Sequence, residues 1–360
     1  MTKSEPHPPR HRTRSTSSSG GASALGRVKL YHEVVTLSTG NWGAEYIGAP
    51  SFYPRSTGKG RIAAVVDTGV DASHRLLSGR VIGGSVDFTD TDGHGTHVAG
   101  IIAPIAPDCR ILAVKIDACG GLPSAIRCAV DGGADVINVS YSTLYNNVGL
   151  QSAVQYAIDA GVPIVAASGN NGDGRIDTDE YVFPGGDPRV IEVGAIDRSG
   201  KIAAFTNTNA NLTCLAPGVD VESSSLYGNF VTLSGTSQAA PHVTAAALLI
   251  RDYAERALGR RLSVGEIRAY LRQCTRYGGY PWPILDLSAP FDVAEPDFDA
   301  MDIRDTIRQI SEKSCGRVID TPEFWINLAE KYDRGETITR EDFRYVALLM
   351  KKANHYGIPK

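Results

Sequence analysis

Three short stretches of this chain each carry a side chain able to take part in hydrolysing an acyl bond. Asp67 ends an apolar run in Ile-Ala-Ala-Val-Val-Asp-Thr-Gly, His94 stands in Asp-Gly-His-Gly-Thr-His-Val-Ala-Gly, and Ser237 stands in Ser-Gly-Thr-Ser-Gln-Ala-Ala-Pro-His-Val. Peptide hydrolysis needs a nucleophilic oxygen, a base to take its proton, a carboxylate to orient that base, and donors for the oxyanion that forms. The first three needs have one candidate each, in the chain order Asp, His, Ser. Taken singly, each residue has a duller explanation. An Asp-Thr-Gly after a strand is a turn closed by its Asx bond, a serine at a helix start is an N-cap, and a loop histidine needs no partner beyond one hydrogen bond. Their coincidence in one chain favours chemistry.

For the three to meet, distant segments must share one edge of the fold. From residue 61 short β-branched runs alternate with helical patterns, which predicts an α/β fold with a parallel sheet and helices on both faces. Strands are expected at 62–66, 111–116, 136–139, 162–167 and 190–195, and helices at 94–103, 123–131, 150–160, 236–257 and 264–274. In open α/β sheets ligands gather beyond the carboxyl ends of the strands. Asp67 and Ser140 stand at such ends, Asn170 lies just past one, and Ser237 falls in the first turn of an alanine-rich helix that tolerates Pro241 near its start.

The order and the three local contexts resemble the subtilisin (subtilase) family over roughly residues 41–293. That resemblance implies a three-layer fold around a central, mainly parallel sheet, and a serine endopeptidase working through an acyl-enzyme. By matching positions, Ser237 is the nucleophile, His94 shuttles its proton and Asp67 holds the imidazole tautomer. Val-Ala-Ala-Ser-Gly-Asn at 165–170 resembles the segment that carries the family's oxyanion asparagine. Asn170 would then donate beside the Ser237 backbone N–H. The family binds peptide as an added strand between two backbone edges. Ser140, Tyr141 and Ser142 match one edge and Gly120, Gly121 and Leu122 the other, with Ala167, Ser168 and Gly169 also counted as substrate-binding. Val182 falls near the floor of the primary pocket, where a branched residue favours small or medium side chains. Asp90 and Asp92, close to His94 in sequence, are expected to favour a basic residue just upstream of the cleaved bond. His97 and His242 read as structural neighbours.

The chain also departs from the family pattern. Gly100-Ile-Ile-Ala-Pro-Ile-Ala-Pro runs on where many relatives insert a calcium loop, and Asn211, Leu212 and Thr213 stand where a second calcium site uses a carboxylate. Residues 169–180 imitate an EF-hand loop through Asn171, Asp173, Gly174, Ile176, Asp177 and Glu180, but Gly169 holds the first position, where an aspartate belongs. The match at 331–342 is weaker still. No cofactor and no metal site is therefore expected, with calcium left open on these loops alone. Only about 40 residues precede Trp42, too few for the separate inhibitory domain of secreted relatives.

Bulk properties bound the rest. With 360 residues, 42% hydrophobic residues and a formal net charge of −4, the chain suits one enzyme-sized core plus a small appendage and shows no pull toward nucleic acid or membrane. Three domains are expected: a disordered basic, serine-rich tail at 1–27, the catalytic domain at 28–294, and a helical C-terminal extension at 295–360 with segments at 298–312, 321–333 and 339–354. The start lacks the apolar stretch of a secretory signal, which makes the cytoplasm the default and leaves organelle targeting by the tail as the alternative. The six cysteines, at 109, 119, 128, 214, 274 and 315, show no metal-ligand spacing and read mainly as free thiols. The expected partners are a protein or peptide substrate and, through the extension, an interaction partner. Two rival readings stay open: a catalytically silent peptide-binding scaffold, and a calcium sensor.

Overall fold

The computed structural model describes residues 42–293. The expected tail at 1–27, the catalytic-domain residues 28–41 and 294, and the extension at 295–360 lie outside the described residues. Within them the chain runs α1 (Gly43–Tyr46), α2 (Ala49–Phe52), β1 (Ile62–Asp67), β2 (Val81–Gly83), α3 (His94–Ile105), β3 (Arg110–Lys115), α4 (Leu122–Asp131), β4 (Val136–Val139), α5 (Val148–Asp159), β5 (Ile164–Ala167), β6 (Ile191–Ile196), β7 (Leu212–Pro217), β8 (Val221–Ser224), β9 (Phe230–Leu233), α6 (Thr236–Leu258), α7 (Val264–Gln273), β10 (Thr275–Arg276) and β11 (Ile284–Leu285). Nine strands form one sheet in the order β10-β11-β7-β6-β5-β4-β1-β3-β2, and β8 and β9 form a separate antiparallel ribbon. Within the nine-stranded sheet every pairing is parallel except β10 with β11.

Alternation along the strands produces the three layers. Ala63 and Val65 of β1 pack into a cluster with α3, α6 and α7, whereas Ala64 and Val66 pack into a second cluster with α4 and α5. A strand covered on both faces must be apolar at every position, which is why these strands read as unbroken β-branched runs. Helix α6 is buried on nearly all sides from Thr236 to Glu255, as expected of a helix inside the core rather than on it. Its inner arginine, Arg251, donates to the Asp135 and Gly161 carbonyls at 2.6 and 3.0 Å and to Glu255 at 2.9 Å. The neighbouring Arg61 binds Glu255 at 2.6 Å, so this network ties α6 to the amino ends of β1 and β4. The carboxyl ends of the same two strands carry Asp67 and lead into Ser140.

β1 is the switch point of the sheet: the chain leaves it toward β3 on one side and returns to β4 on the other. Among the described residues no helix is long and apolar enough to cross a membrane. Cys109, Cys214 and Cys274 are buried free thiols, and burial pushes each up to about 12.

Candidate active site

Asp67 is the last residue of β1, and its neighbour Val66 pairs with Val139 of β4, so Asp67 and Ser140 emerge side by side. The Asp67 side chain is only 3% exposed, and its Oδ1 accepts from the Thr68 N–H and from His94 Nδ1, both at 2.8 Å. His94 opens α3, and two glycines let it do so. Gly93 has φ 104°, in the left-handed region, and a Cβ on Gly95 would stand 2.1 Å from the Gly69 carbonyl oxygen. Thr68 Oγ1 fastens the two segments, accepting from Gly95 N–H at 3.0 Å and donating to Asp90 at 3.0 Å.

Burial alone would lower the His94 pKa, but the hydrogen bond and charge of Asp67, with smaller help from Asp92 and Asp90, raise it above its ordinary 6.5. Because the Asp67 carboxylate can only accept, Nδ1 carries the proton and the neutral ring keeps its lone pair on Nε2. Asp90 departs from the sequence expectation. It is 6% exposed, and its oxygens accept from Thr68, Asp92, Gly93 and Thr96. A carboxylate consumed by its own turn anchors the loop before His94 and has little left for a substrate cation. His97 and His242 are structural, as expected. Burial holds each down to about 4, and their rings meet the Val231 and Gln238 carbonyls at 3.1 and 2.9 Å.

Ser237, the second residue of α6, is held by a reciprocal pair of bonds. Its Oγ donates to the Ser140 carbonyl at 3.1 Å, and Ser140 Oγ donates to the Ser237 carbonyl at 2.9 Å. The cause of the second bond is Pro241. Four residues on, it has no N–H to give the Ser237 carbonyl, so a side chain supplies the donor. Asn138 Nδ2 in turn donates to Ser140 Oγ at 2.9 Å. Ser140 therefore acts first as the seat of Ser237, a role the sequence reading missed although Pro241 signalled the orphaned carbonyl. Asp67 and His94 are joined directly, whereas the Ser237 hydroxyl is turned to Ser140 and not to His94.

Asn170 follows β5, and its Oδ1 accepts from both the N–H and the hydroxyl of Thr236, at 2.8 and 2.9 Å. That leaves Nδ2 as the free end of the amide. Thr236 also accepts from the Gly169 N–H at 3.1 Å, so the residue before Ser237 positions the 169–170 turn. This second missed role lay in the Gly-Thr-Ser stretch itself.

Of the residues expected at the substrate edges, Tyr141 and Ser142 are exposed beyond β4, and the following Thr143 exchanges two backbone bonds of 2.8 Å with Phe183. Gly120 and Gly121 have φ 77° and 116° and lead into α4. Leu122 is a correction: 6% exposed and packed into the α4–α5 core, it serves the helix and not the edge. Gly169 is another, because Thr236 takes its N–H and Asn207 N–H takes its carbonyl at 3.1 Å, leaving no backbone group for a peptide. Ala167 and Ser168 are buried, and Ser168 N–H donates to Val193 at 3.0 Å. Val182 packs on Gly169, where an added Cβ would meet its Cγ2 at 3.1 Å. In the 169–180 loop Arg175 binds both oxygens of Asp177 at 3.0 and 2.9 Å, and Glu180 accepts from Asp173 and Thr208 N–H groups at 2.9 and 3.1 Å. These two carboxylates are engaged by the protein's own donors.

Comparison with known proteins agrees with this architecture. A family model described as the subtilase family matches residues 58–285. An intracellular serine protease of Paenibacillus polymyxa is 36% identical over 255 residues, covering 64% of this chain and 78% of its own. The major intracellular serine protease of Bacillus subtilis (strain 168) is 36% identical over 259 residues, covering 64% of this chain and 80% of its own. Among solved structures, a cold-adapted subtilisin-like serine proteinase superposes with a TM-score of 0.57 at 28% identity, over 66% of this chain and 91% of that one.

Proposed function

We propose, from the premise that the chain belongs to the subtilase family and is a serine-type endopeptidase, that Asp67, His94 and Ser237 are its catalytic triad. The observation that carries this is the 2.8 Å bond from His94 Nδ1 to Asp67, which leaves Nε2 as the free base at the strand end next to Ser140, the residue that seats Ser237. In the reaction the Ser237 hydroxyl leaves Ser140, passes its proton to His94 Nε2 and attacks the scissile carbonyl. Asn170 Nδ2 and the Ser237 N–H, an unused donor at a helix start, receive the oxyanion. His94 then protonates the leaving amine, and water repeats the sequence on the acyl-enzyme. Asp67 holds the ring throughout and balances its charged form.

The substrates are proteins or peptides, with Ser140–Ser142 and Gly120–Gly121 flanking the bound chain. No cofactor takes part in these steps. By analogy with the two relatives named intracellular serine proteases, we place the enzyme inside the cell, with 28–294 as its catalytic domain and 295–360 as an extension for a partner.

A fluorophosphonate probe tests the reading against a silent scaffold. It is expected to modify Ser237 alone, as mapped by mass on the peptide containing that residue, and an unlabelled, folded protein would decide for the scaffold. Asn170→Ala is expected to stay folded and lose about 10²- to 10³-fold in kcat, the scale set by this donor in another subtilisin. Turnover at the wild-type rate would remove Asn170 from the mechanism.

A further inference from the structure

Strand β6 lies between β5 and β7 and is buried along its whole length, yet one of its residues carries a carboxyl. Glu192 is 0% exposed and pairs with Ala166 of β5, so its side chain stands on the α4–α5 face of the sheet. Its Oε1 accepts from Asn209 Nδ2 at 3.1 Å, and its Oε2, also buried, has no partner among the described residues. We propose, resting on the reading above that Asn170 is an oxyanion donor, that Glu192 is a positioning residue for it: through Asn209 it holds the 206–209 segment against the turn that carries Asn170.

The path from the acid to that turn is short. Asn209 is fixed at three points, with Oδ1 accepting from the Asn211 N–H at 2.8 Å and Nδ2 donating to Glu192 and, at 3.3 Å, to the Glu180 carbonyl. Two residues earlier, Asn207 Oδ1 accepts from the Asn171 N–H at 2.8 Å, and the Asn207 N–H donates to the Gly169 carbonyl at 3.1 Å. These two bonds bracket Asn170. Thr208, between the two asparagines, accepts from the Glu180 N–H at 2.8 Å and donates its own N–H to the Glu180 carboxylate at 3.1 Å, so a shift at Asn209 is carried to Asn207.

An ionised Glu192 would be a buried charge with one donor, and such a group is cheaper to hold as the neutral acid. Burial, opposed by the Asn209 bond, pushes its pKa up to about 8. Gly185 closes over the acid, since a Cβ there would stand 3.1 Å from Oε1 and 2.8 Å from the Ala167 carbonyl oxygen. The ionisable groups toward Glu192 are Tyr181, with Asp179 near it, and Glu180, which is held by the Asp173 and Thr208 N–H groups. Asp187 of the same loop is paired with Arg189, and Ala166, Leu212, Thr213 and the 206–209 segment bring none. As pH rises through about 8 the acid ionises, draws water toward itself and loosens Asn209.

Steady-state kinetics on an extended peptide, run from about pH 6 to 10 beside thermal melts, test the assignment. Glu192→Ala and Asn209→Ala are each expected to lower kcat about tenfold or more, toward the 10²-fold that a misplacement of about 1 Å brings, with KM held. The double variant is expected to lose no more than either single one. Glu192→Gln keeps the acceptor for Asn209, so it is expected to recover the loss and to hold kcat where the wild type falls through a pH of about 8. A merely structural glutamate would move the melting temperature and leave that alkaline limb in place. A folded Glu192→Ala with wild-type kcat, a loss in KM instead of kcat, an alkaline limb absent from the wild type, or one that survives in Glu192→Gln would each overturn the proposal. Should Glu192→Ala fail to fold, the pH profile of Glu192→Gln decides alone. Asn170→Ala turning over at the wild-type rate would instead strike down the oxyanion reading itself.

Discussion

Replacing Ser237 by alanine, or His94 by alanine, is expected to lower kcat on a peptide substrate by about 10⁶-fold, and the double variant to be no worse than either single one. The scale is that of the nucleophile and base of subtilisin, which fail as a unit. The structural reason is that neither group has a substitute nearby. His97 and His242 are fixed on backbone carbonyls and held near 4, and Ser140 spends its hydroxyl on the Ser237 carbonyl. The fold itself should barely register the serine change. Ser237→Ala gives up one bond of 3.1 Å to Ser140, about 0.5–1.5 kcal/mol, while the reciprocal bond made necessary by Pro241 remains. Turnover assays beside thermal melts separate the two effects. A Ser237→Ala variant that retains a hundredth of wild-type turnover at unchanged Tm would exclude Ser237 as nucleophile.

The residues proposed as the triad stood out in sequence because each sits at the end of a strongly patterned element. Ile-Ala-Ala-Val-Val before Asp67 must be a doubly covered strand, and the carboxyl end of such a strand is where an open sheet exposes chemistry. Within the described residues the predicted strands and helices fall within two residues of those observed, from β1 at 62–67 to α6 at 236–258. Less was readable where the pattern weakens. Leu-Thr-Cys-Leu-Ala-Pro forms β7 in the interior of the sheet, yet its closing proline and mixed polarity argue against a strand. β2, β10 and β11 have three residues or fewer, too short for any period to show. The supporting shell was the least visible part. Asp90 looked like a free charge because sequence proximity to His94 cannot reveal that Thr68, Gly93 and Thr96 fold back onto its oxygens. Thr236 and Ser140 were hidden for the same reason, since their bonds to Asn170 and Ser237 span 66 and 97 residues.

Asp67→Asn is expected to lower kcat by about 10⁴-fold, the scale of this change in serine-peptidase triads, and to move the acid limb of kcat/KM downward. In the wild type the limb reports loss of the neutral base. Since Asp67 raises the His94 pKa above 6.5, activity should fall as pH drops through a value higher than 6.5. The same shift fixes the sign of the stability linkage: the pair contributes stability fully below about 6.5, the unfolded pKa of histidine, and loses it as pH rises through the folded value. Removing the charge leaves burial as the main influence, which lowers the pKa and carries the limb with it. The amide cannot rescue the geometry in either orientation. With its oxygen toward His94 and Thr68, its NH₂ takes the place of Oδ2, a buried atom with no hydrogen-bond partner among the described residues. Turned over, it sets donor against the Thr68 N–H and forces Nδ1 to accept, which places the proton on Nε2 and abolishes the base. A pH–rate profile of the purified variant tests both halves. A limb that stays put or rises, or a loss smaller than tenfold, would mean that Asp67 neither charges nor orients His94.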